Sequence, residues 1–307
     1  MTGRSELAAV RGLRCLDVSV GNIDHTSAFY AGIWGLKEVA RTGDARFYRA
    51  TANYHHVLAL FDRGRPALLR IIFDAADRAT VDALHRQVTL ANAGPVEMPH
   101  PLVRPGGGYG FGFKDPEGRN LAIVCDVVDH ADSSVEPDRP IKITHINLNS
   151  ATAETAHRFY IDALGFRLSD ESDLFYFLRC NSDHHSILLA KLAAPTLNHV
   201  SFEMADIDSV MRGAGRLKDH GYPIEWGPGR HGAGSNMFCY FAGPEELPIE
   251  YTTDVEQVDD NYVFHGPDYW KWPPGRTDRW GVTEPRSPRL KRIQDLYRFT
   301  EDHRIES

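Results

Sequence analysis

The sequence predicts an α+β fold of four βαβββ modules, in two tandem domains that each curve a mixed sheet into a cup with helices outside. Two observations predict this architecture. The chain repeats itself, since Phe29-Tyr30 returns 130 positions later as Phe159-Tyr160 within a similar strand and helix pattern. Each half then divides again into modules of a strand, a helix and about three short strands. The composition agrees, because 42% hydrophobic and 25% charged residues are ordinary for a globular protein.

Further pairs of segments extend this repeat at nearly the same offset. The stretch LLRIIFDAAD (68–77) matches LNHVSFEMAD (197–206), and a histidine pair near position 55 matches His184-His185. Successive matches differ by one insertion or deletion at most. The two halves should therefore share one topology.

In the second half, the first predicted helix is 151–164 and the second is 206–220. Gly165 and Gly221 follow them and can end a helix in the left-handed region. Several of the remaining segments alternate apolar and polar residues, which is typical of half-buried strands. We expect strands near 141–149, 166–170, 174–180, 185–191, 197–204, 222–226, 236–242 and 247–252.

The acidic and polar stretch 126–140 contains two prolines and predicts a linker between the halves. After about residue 256 the repeat stops, and a tail rich in Pro, Gly and Trp begins. Within the tail, Ser287-Pro288 should open a helix whose apolar face comprises Leu290, Ile293 and Tyr297. We interpret the tail as an arm over a site or a contact to a neighbouring subunit, and we expect a homo-oligomer. The predicted units are two domains and a tail, at 1–130, 131–256 and 257–307.

The charge balance and the cysteine count exclude several classes of function. The chain has 34 basic and 42 acidic residues, a net charge of −8, so electrostatics gives nucleic acid no reason to bind. No apolar run approaches the roughly 18 residues that a membrane span needs, and we expect a cytoplasmic protein. The four cysteines form no CxxC pair, whereas histidine occurs 15 times. A metal would therefore be held by imidazole and carboxylate groups.

The alternation of residues in three predicted strands of the second half gives a candidate metal site. His145, His199 and Glu250 each lie on the face opposite to the apolar residues of their own strand. If the three strands are neighbours, these side chains form a two-histidine, one-carboxylate triad with open coordination positions, which suits Fe(II) and also Mn(II). Each residue alone is more often structural than a ligand. The equivalent residues of the first half could not form such a site, and they are Cys15, Arg70 and Ala122.

With these residues the repeated modules resemble the vicinal oxygen chelate superfamily, and specifically its two-domain type I extradiol ring-cleaving dioxygenases. The resemblance covers residues 13–255 in architecture, and its specific motifs lie in 143–254. CNSDHHS includes His185, and GPGRHG followed by MFCYFAGPEELPIEY includes His231 and Tyr240 at the spacing of that family. The resemblance implies a catalytic second domain and a structural first domain.

The resemblance also implies the chemistry. It predicts a protein that uses Fe(II), or alternatively Mn(II), to cleave a catechol with O2 into a muconic semialdehyde-type product. His185 would act in acid–base catalysis, while Tyr240 and His231 would hydrogen-bond and orient the substrate.

Other residues resemble the homoprotocatechuate 2,3-dioxygenase branch of that family. Asn147 stands two residues after the first ligand, and Phe177 would border the substrate ring. A tail arginine, Arg276 or Arg279, would meet a carboxylate on the substrate. Trp226 departs from this branch, which has an arginine at that position, and it favours a larger or neutral aromatic substituent.

Two other functions remain open from the sequence. One is a metal-dependent isomerase or lyase of the glyoxalase type, whose sites usually draw ligands from two paired half-domains. The other is a non-catalytic binding protein of the same fold. The first half lacks ligands at Cys15, Arg70 and Ala122, and the second half keeps every residue of the proposed site, so both are disfavoured.

Overall fold

The computed structural model describes residues 7–305 and contains two eight-stranded mixed sheets. The strands of the first sheet are β1 (Gly12–Val20), β2 (Lys37–Thr42), β3 (Ala45–Arg49), β4 (Leu58–Asp62), β5 (Ala67–Asp74), β6 (His100–Pro101), β7 (Tyr109–Lys114) and β8 (Asn120–Cys125). Those of the second are β9 (Lys142–Ser150), β10 (Arg167–Glu171), β11 (Phe175–Arg179), β12 (Ile187–Lys191), β13 (Leu197–Glu203), β14 (Trp226–Arg230), β15 (Met237–Ala242) and β16 (Pro248–Thr253).

All helices but the last lie between these strands, and the last follows β16. They are α1 (Ile23–Ala28), which continues as a π-helix (Phe29–Trp34), then α2 (Arg78–Ala91), α3 (Ala153–Leu164), α4 (Ile207–Asp219), a 3₁₀ turn (Pro244–Glu246) and α5 (Pro288–Ile293). Gly35 and Gly165 end two of them with positive φ angles. Across residues 7–305, none of the helices combines the length and the apolar character that a membrane crossing requires.

Both sheets have the same strand order, so the predicted duplication and fold class are confirmed. The orders are β2-β3-β4-β1-β5-β8-β7-β6 and β10-β11-β12-β9-β13-β16-β15-β14. In each sheet the two central strands pair antiparallel, β1 with β5 and β9 with β13. Next to them, β5 pairs in parallel with β8, and β13 pairs in parallel with β16. This arrangement places β9, β13 and β16 side by side at the centre of the second sheet.

Two predicted elements differ from the structure. The strand expected at 222–226 is instead β14, because Pro223 cannot donate to a ladder and the GPGR stretch pairs with β15 at the sheet edge. The tail helix begins as predicted, since the Ser287 side chain accepts a hydrogen bond from the Leu290 amide. It ends at Ile293, so Tyr297 lies beyond it, although its ring is buried.

Trp34 joins the two halves of the molecule. Its indole is fully buried and stacks on Tyr251 of β16 at 3.7 Å between ring centroids, and the Tyr251 hydroxyl donates to the Trp34 carbonyl. Because this ring fills the junction between the sheets, we expect Trp34→Ala to lower the free energy of unfolding by about 3–5 kcal/mol. Denaturant unfolding followed by circular dichroism measures this free energy. A loss below about 1 kcal/mol would show that Trp34 does not pack tightly at the junction.

The last described residues of the tail, up to Ile305, pack against the first sheet. The Leu68 amide donates to the Arg298 carbonyl, and the Arg70 guanidinium donates to the Arg304 carbonyl. Ile305 then packs against a small apolar cluster that includes Cys15 and Ala122. The chain thus fills with its own residues the place that corresponds to the triad of the second half.

Candidate metal and active site

Three adjacent strands bring the predicted ligands together. In the register of the second sheet, His145 of β9 lies opposite Ser201 of β13, and Ser201 lies opposite Glu250 of β16. His199 comes two residues before Ser201 and therefore faces the same side of the sheet. All three ligand candidates are buried, as are the apolar residues on the opposite face of each strand.

The donor atoms of these three residues form a nearly equilateral triangle. The Nε2 atoms of His145 and His199 are 3.2 Å apart, and each lies 3.2 Å from Oε2 of Glu250. Metal–ligand bonds of about 2.1 Å at right angles place neighbouring donor atoms about 3 Å apart. The triangle therefore fits one face of an octahedral divalent metal ion, which leaves the opposite face for exogenous ligands.

The electrostatics of Glu250 also fit a cation. Both of its carboxylate oxygens are buried without a hydrogen-bond partner of normal geometry among the described residues. Burial alone would raise the pKa of this carboxyl, but the adjacent His145 and His199 outweigh burial and hold its pKa well below the usual range. A buried carboxylate that lacks hydrogen bonds is costly unless an ion neutralises it. These three residues could hold a divalent metal ion.

The corresponding place in the first half holds an ion-pair cluster. Arg70, which stands where His199 stands, lies 3.0 Å from a fully buried Asp17 carboxylate, and Arg104 donates to the same carboxylate. Two guanidinium groups around one carboxylate repel any added cation. The first half therefore keeps the fold but offers no metal site at these positions.

His185 lies beside the triad and continues a directed chain of hydrogen bonds. Its ring is 4.5 Å from that of His145 between centroids, and burial lowers its pKa well below 6.5. His184 donates from Nε2 to Asp170 at 2.9 Å, and the Nδ1 atoms of His184 and His185 are 3.0 Å apart. A neutral His184 must then accept at Nδ1, so the proton between the rings belongs to His185. Nε2 of His185 is therefore unprotonated and has a lone pair.

His231 and Tyr240 lie on another side of the triad. Their Nε2 and hydroxyl oxygen are 3.0 Å apart, and the Tyr240 oxygen is 3.4 Å from Nε2 of His199. Burial lowers the pKa of His231 to about 4, and it raises the pKa of Tyr240 well above 10. At neutral pH the site thus presents a neutral imidazole next to a protonated phenol.

A cavity of about 580 Å³ opens over the triad. Asn147, Phe177 and Trp226 line it, as do His185, His231 and Tyr240, so the structure brings these predicted residues together. The tail covers part of it with Trp270, Trp272 and Asp278.

The structure differs from the sequence expectation at the tail arginine. Arg276 is exposed and does not line the cavity; its guanidinium lies close to Gly281. Arg286 lines the cavity instead, with its guanidinium 5.7 Å from the centre of the Trp226 ring. The sequence could not indicate this arginine, because the irregular tail has no periodicity that would determine which arginine side chain faces the cavity.

Sequence reasoning also missed Asn198 and Gln294, which lie in the cavity wall. Asn198 contacts His199, and Gln294 contacts Asn198. The sequence signal that could have pointed to Asn198 is its position directly before the candidate ligand His199. Gln294 carries no signal of its own, because it approaches the site from 96 residues further along the chain.

Residues 142–251 match the family model of the Glyoxalase/Bleomycin resistance protein/Dioxygenase superfamily. Metapyrocatechase 2 of Cupriavidus necator is 33% identical over 57% of this chain, and the alignment spans 61% of that relative. The manganese-dependent 2,3-dihydroxybiphenyl 1,2-dioxygenase of Geobacillus genomosp. 3 is 25% identical over 80% of this chain and 91% of its own. The first relative is thus named a pyrocatechase, and the second a dioxygenase of a dihydroxybiphenyl.

Two solved structures share this fold, one named a glyoxalase and the other a dioxygenase. The Mn(II)-bound glyoxalase from Novosphingobium aromaticivorans is 38% identical, with a TM-score of 0.86 over 92% of this chain and 94% of that one. Homoprotocatechuate 2,3-dioxygenase from Arthrobacter globiformis, at 19% identity, shares the fold with a TM-score of 0.82 over 94% and 93%. With the duplicated sheets and the triad, these matches show that the chain belongs to the glyoxalase/bleomycin resistance protein/dioxygenase superfamily, which is the vicinal oxygen chelate superfamily.

Proposed function

We propose that this protein, a ring-cleaving dioxygenase of the extradiol class, uses Fe(II) held by His145, His199 and Glu250 to open a catechol with O2. The product would be a muconic semialdehyde-type compound. The observation that carries the proposal is the triangle of donor atoms at 3.2 Å, which faces a cavity large enough for an aromatic diol. When bound, Fe(II) supplies a Lewis acid and a one-electron donor that the side chains lack. Mn(II) fits the same donors, and two relatives are described as manganese proteins.

His185 is the proposed acid–base residue. Because Asp170 and His184 place its proton on Nδ1, its Nε2 faces the site as an acceptor. It can take a proton from a catechol hydroxyl and later return it to an oxygen of the reacting group, because burial lowers the pKa of His185 and keeps a lone pair free to accept that proton.

Tyr240 and His231 are the proposed orienting pair. The protonated phenol can donate to a substrate oxygen, and Nε2 of His231 lies 3.0 Å from the phenol oxygen. Such donors act because they already point at the substrate oxygen before the reaction starts. The tail partly covers the cavity in which they lie.

Asn147, Phe177 and Trp226 are the proposed substrate contacts. The aromatic rings offer apolar faces to the diol ring and to a second ring or bulky substituent, and the cavity volume of about 580 Å³ favours a substrate larger than catechol itself. We propose that residues 131–256 carry the reaction, that 1–130 are structural, and that the tail from residue 257 covers the site with Trp270, Trp272 and Asp278.

One experiment tests this function. The protein is loaded without oxygen with Fe(II) and, separately, with Mn(II), and oxygen uptake is recorded with monocyclic and bicyclic catechols. We expect uptake together with a yellow ring-opened product, faster with bicyclic diols. An isomerase of the glyoxalase type or a binding protein would consume no oxygen with any of them, and that result with both metals would refute the proposal.

A further inference from the structure

A β-bulge lies directly beside the candidate ligand His199. In the pairing of β13 with β9, Leu197 lies opposite Leu148 and His199 lies opposite Asn147, so Asn198 is an extra residue. A bulge lets consecutive side chains point toward the same region instead of opposite faces. Asn198 is therefore buried next to His199, with its Oδ1 atom 2.9 Å from Nδ1 of that ring.

The tail determines which way the Asn198 amide points. Arg286 can only donate hydrogen bonds, and it donates to Oε1 of Gln294 at 2.9 Å. The Nε2 group of Gln294 then donates to Oδ1 of Asn198 at 2.8 Å. An Asn198 oxygen that faces both groups can only accept from His199, so the proton of this imidazole is on Nδ1. Nε2, the atom in the triangle of ligands, keeps its lone pair.

A second anchor on the other side fixes the same orientation. Asn149 donates from Nδ2 to the backbone carbonyl of Gln294 at 2.8 Å, and a carbonyl can only accept. Its Oδ1 therefore accepts from Nδ2 of Asn198 at 2.9 Å. Both anchors lead to Gln294, which is only 4% exposed and caps the C-terminal end of α5.

The first half contains the same bulge without the amide. In the pairing of β1 with β5, Asp17 lies opposite Arg70 and Val18 lies opposite Leu68, so Leu69 is the extra residue. Leu69 corresponds to Asn198 as Arg70 corresponds to His199. The polar residue at the bulge thus occurs in the half that has the metal triad, and the other half has an apolar one.

We propose that Gln294 is a positioning residue: through Asn198 it holds His199 in the tautomer that binds metal, so that docking of the C-terminal helix completes the metal site. The inference rests on the proposed metal site, and it assigns the tail a role beyond that of a cover. Outer partners that orient a ligand histidine in this way typically change metal affinity by about 10–100-fold.

The test compares two substitutions of similar size in the full-length protein. Gln294→Glu still accepts from Arg286 but, as a carboxylate, has no proton to give, so it repels the Asn198 oxygen. This repulsion favours an Asn198 amide that turns its NH2 group toward the carboxylate and toward His199, against the remaining hydrogen bond with Asn149. The imidazole proton is then displaced to Nε2, and we expect the Mn(II) dissociation constant to rise about 10–100-fold. Gln294→Met removes the hydrogen bonds without reversing them, and we expect a smaller rise. The free Mn(II) signal in electron paramagnetic resonance measures all of these constants.

Arg292→Gln is the matched control, because Arg292 lies on the helix that Gln294 caps and its side chain pairs with the half-buried Glu246, away from the triangle of donors. Its Mn(II) affinity should equal that of the wild type. Similar melting temperatures of the metal-free proteins would show that Gln294→Glu and Gln294→Met are folded. Equal affinity of Gln294→Glu and wild type, or a loss in Gln294→Met as large as in Gln294→Glu, overturns the inference. A wild type that binds no Mn(II) overturns the metal site itself and this inference with it.

Discussion

Replacing Glu250 with glutamine is expected to weaken Mn(II) or Fe(II) binding by more than about 100-fold, beyond the effect of removing an outer partner of a ligand. Glu250 supplies the only negative charge in the triangle of donors, and its oxygens have no hydrogen bond of normal geometry among the described residues that could substitute for the ion. An amide has neither the charge nor the basicity of the carboxylate. Metal titration of the purified protein, with a chelator as competitor, measures the change.

Glu203→Gln is a suitable control for this substitution. Glu203 lies on β13, the strand that carries His199, but its carboxylate faces Lys142 at 3.4 Å and is outside the triangle. We expect it to bind metal like the wild type. If Glu250→Gln also retained the metal affinity of the wild type, the ion would have to bind elsewhere in the chain.

Replacing His185 with phenylalanine should leave metal binding intact and slow turnover by about 100–10,000-fold. His185 is outside the triangle, but its Nε2 is the proposed proton acceptor next to the metal. Phenylalanine suits this buried position, where the Phe177 ring already lies 5.6 Å away between centroids. Steady-state oxygen uptake at saturating substrate, combined with the metal titration, separates the two effects.

The duplicated half offers a matched control for His185. His56 is its counterpart, and its ring approaches His55 at 2.9 Å between Nδ1 atoms, just as His185 approaches His184. His56→Phe removes the same group from the half without a triad, so turnover should not change. Unchanged turnover in His185→Phe would refute the proposed acid–base role.

The clustering of His145, His199 and Glu250 could be predicted from the sequence, because two simple regularities determine it. Strand alternation separates His145, His199 and Glu250 from the apolar faces of their strands, and the repeat shows that the other half lacks them. Neighbouring central strands then bring side chains of one face together. Short-range patterns therefore carried enough information for this part of the site.

The contribution of the tail could not be predicted, because it depends on contacts that have no periodic signal. The sequence indicates that Ser287-Pro288 opens a helix, but it does not tell where that helix docks. Leu290 and Ile293 pack against β15. This packing brings Arg286, and not Arg276, to the cavity beside Trp226, and it brings Gln294 to Asn198. Ile305 reaches the first half through a separate apolar cluster that includes Cys15 and Ala122, and this contact has no sequence signal either.

The most direct test of the central claim is the fate of labelled oxygen. The Fe(II)-loaded protein is mixed with ¹⁸O2 and a bicyclic catechol that supports turnover, and the ring-opened product is analysed by mass spectrometry before its carbonyl oxygen exchanges with water. A dioxygenase predicts two labelled oxygen atoms in each product molecule and one O2 consumed per catechol. An unlabelled product, or product formed without O2 uptake, would contradict the account.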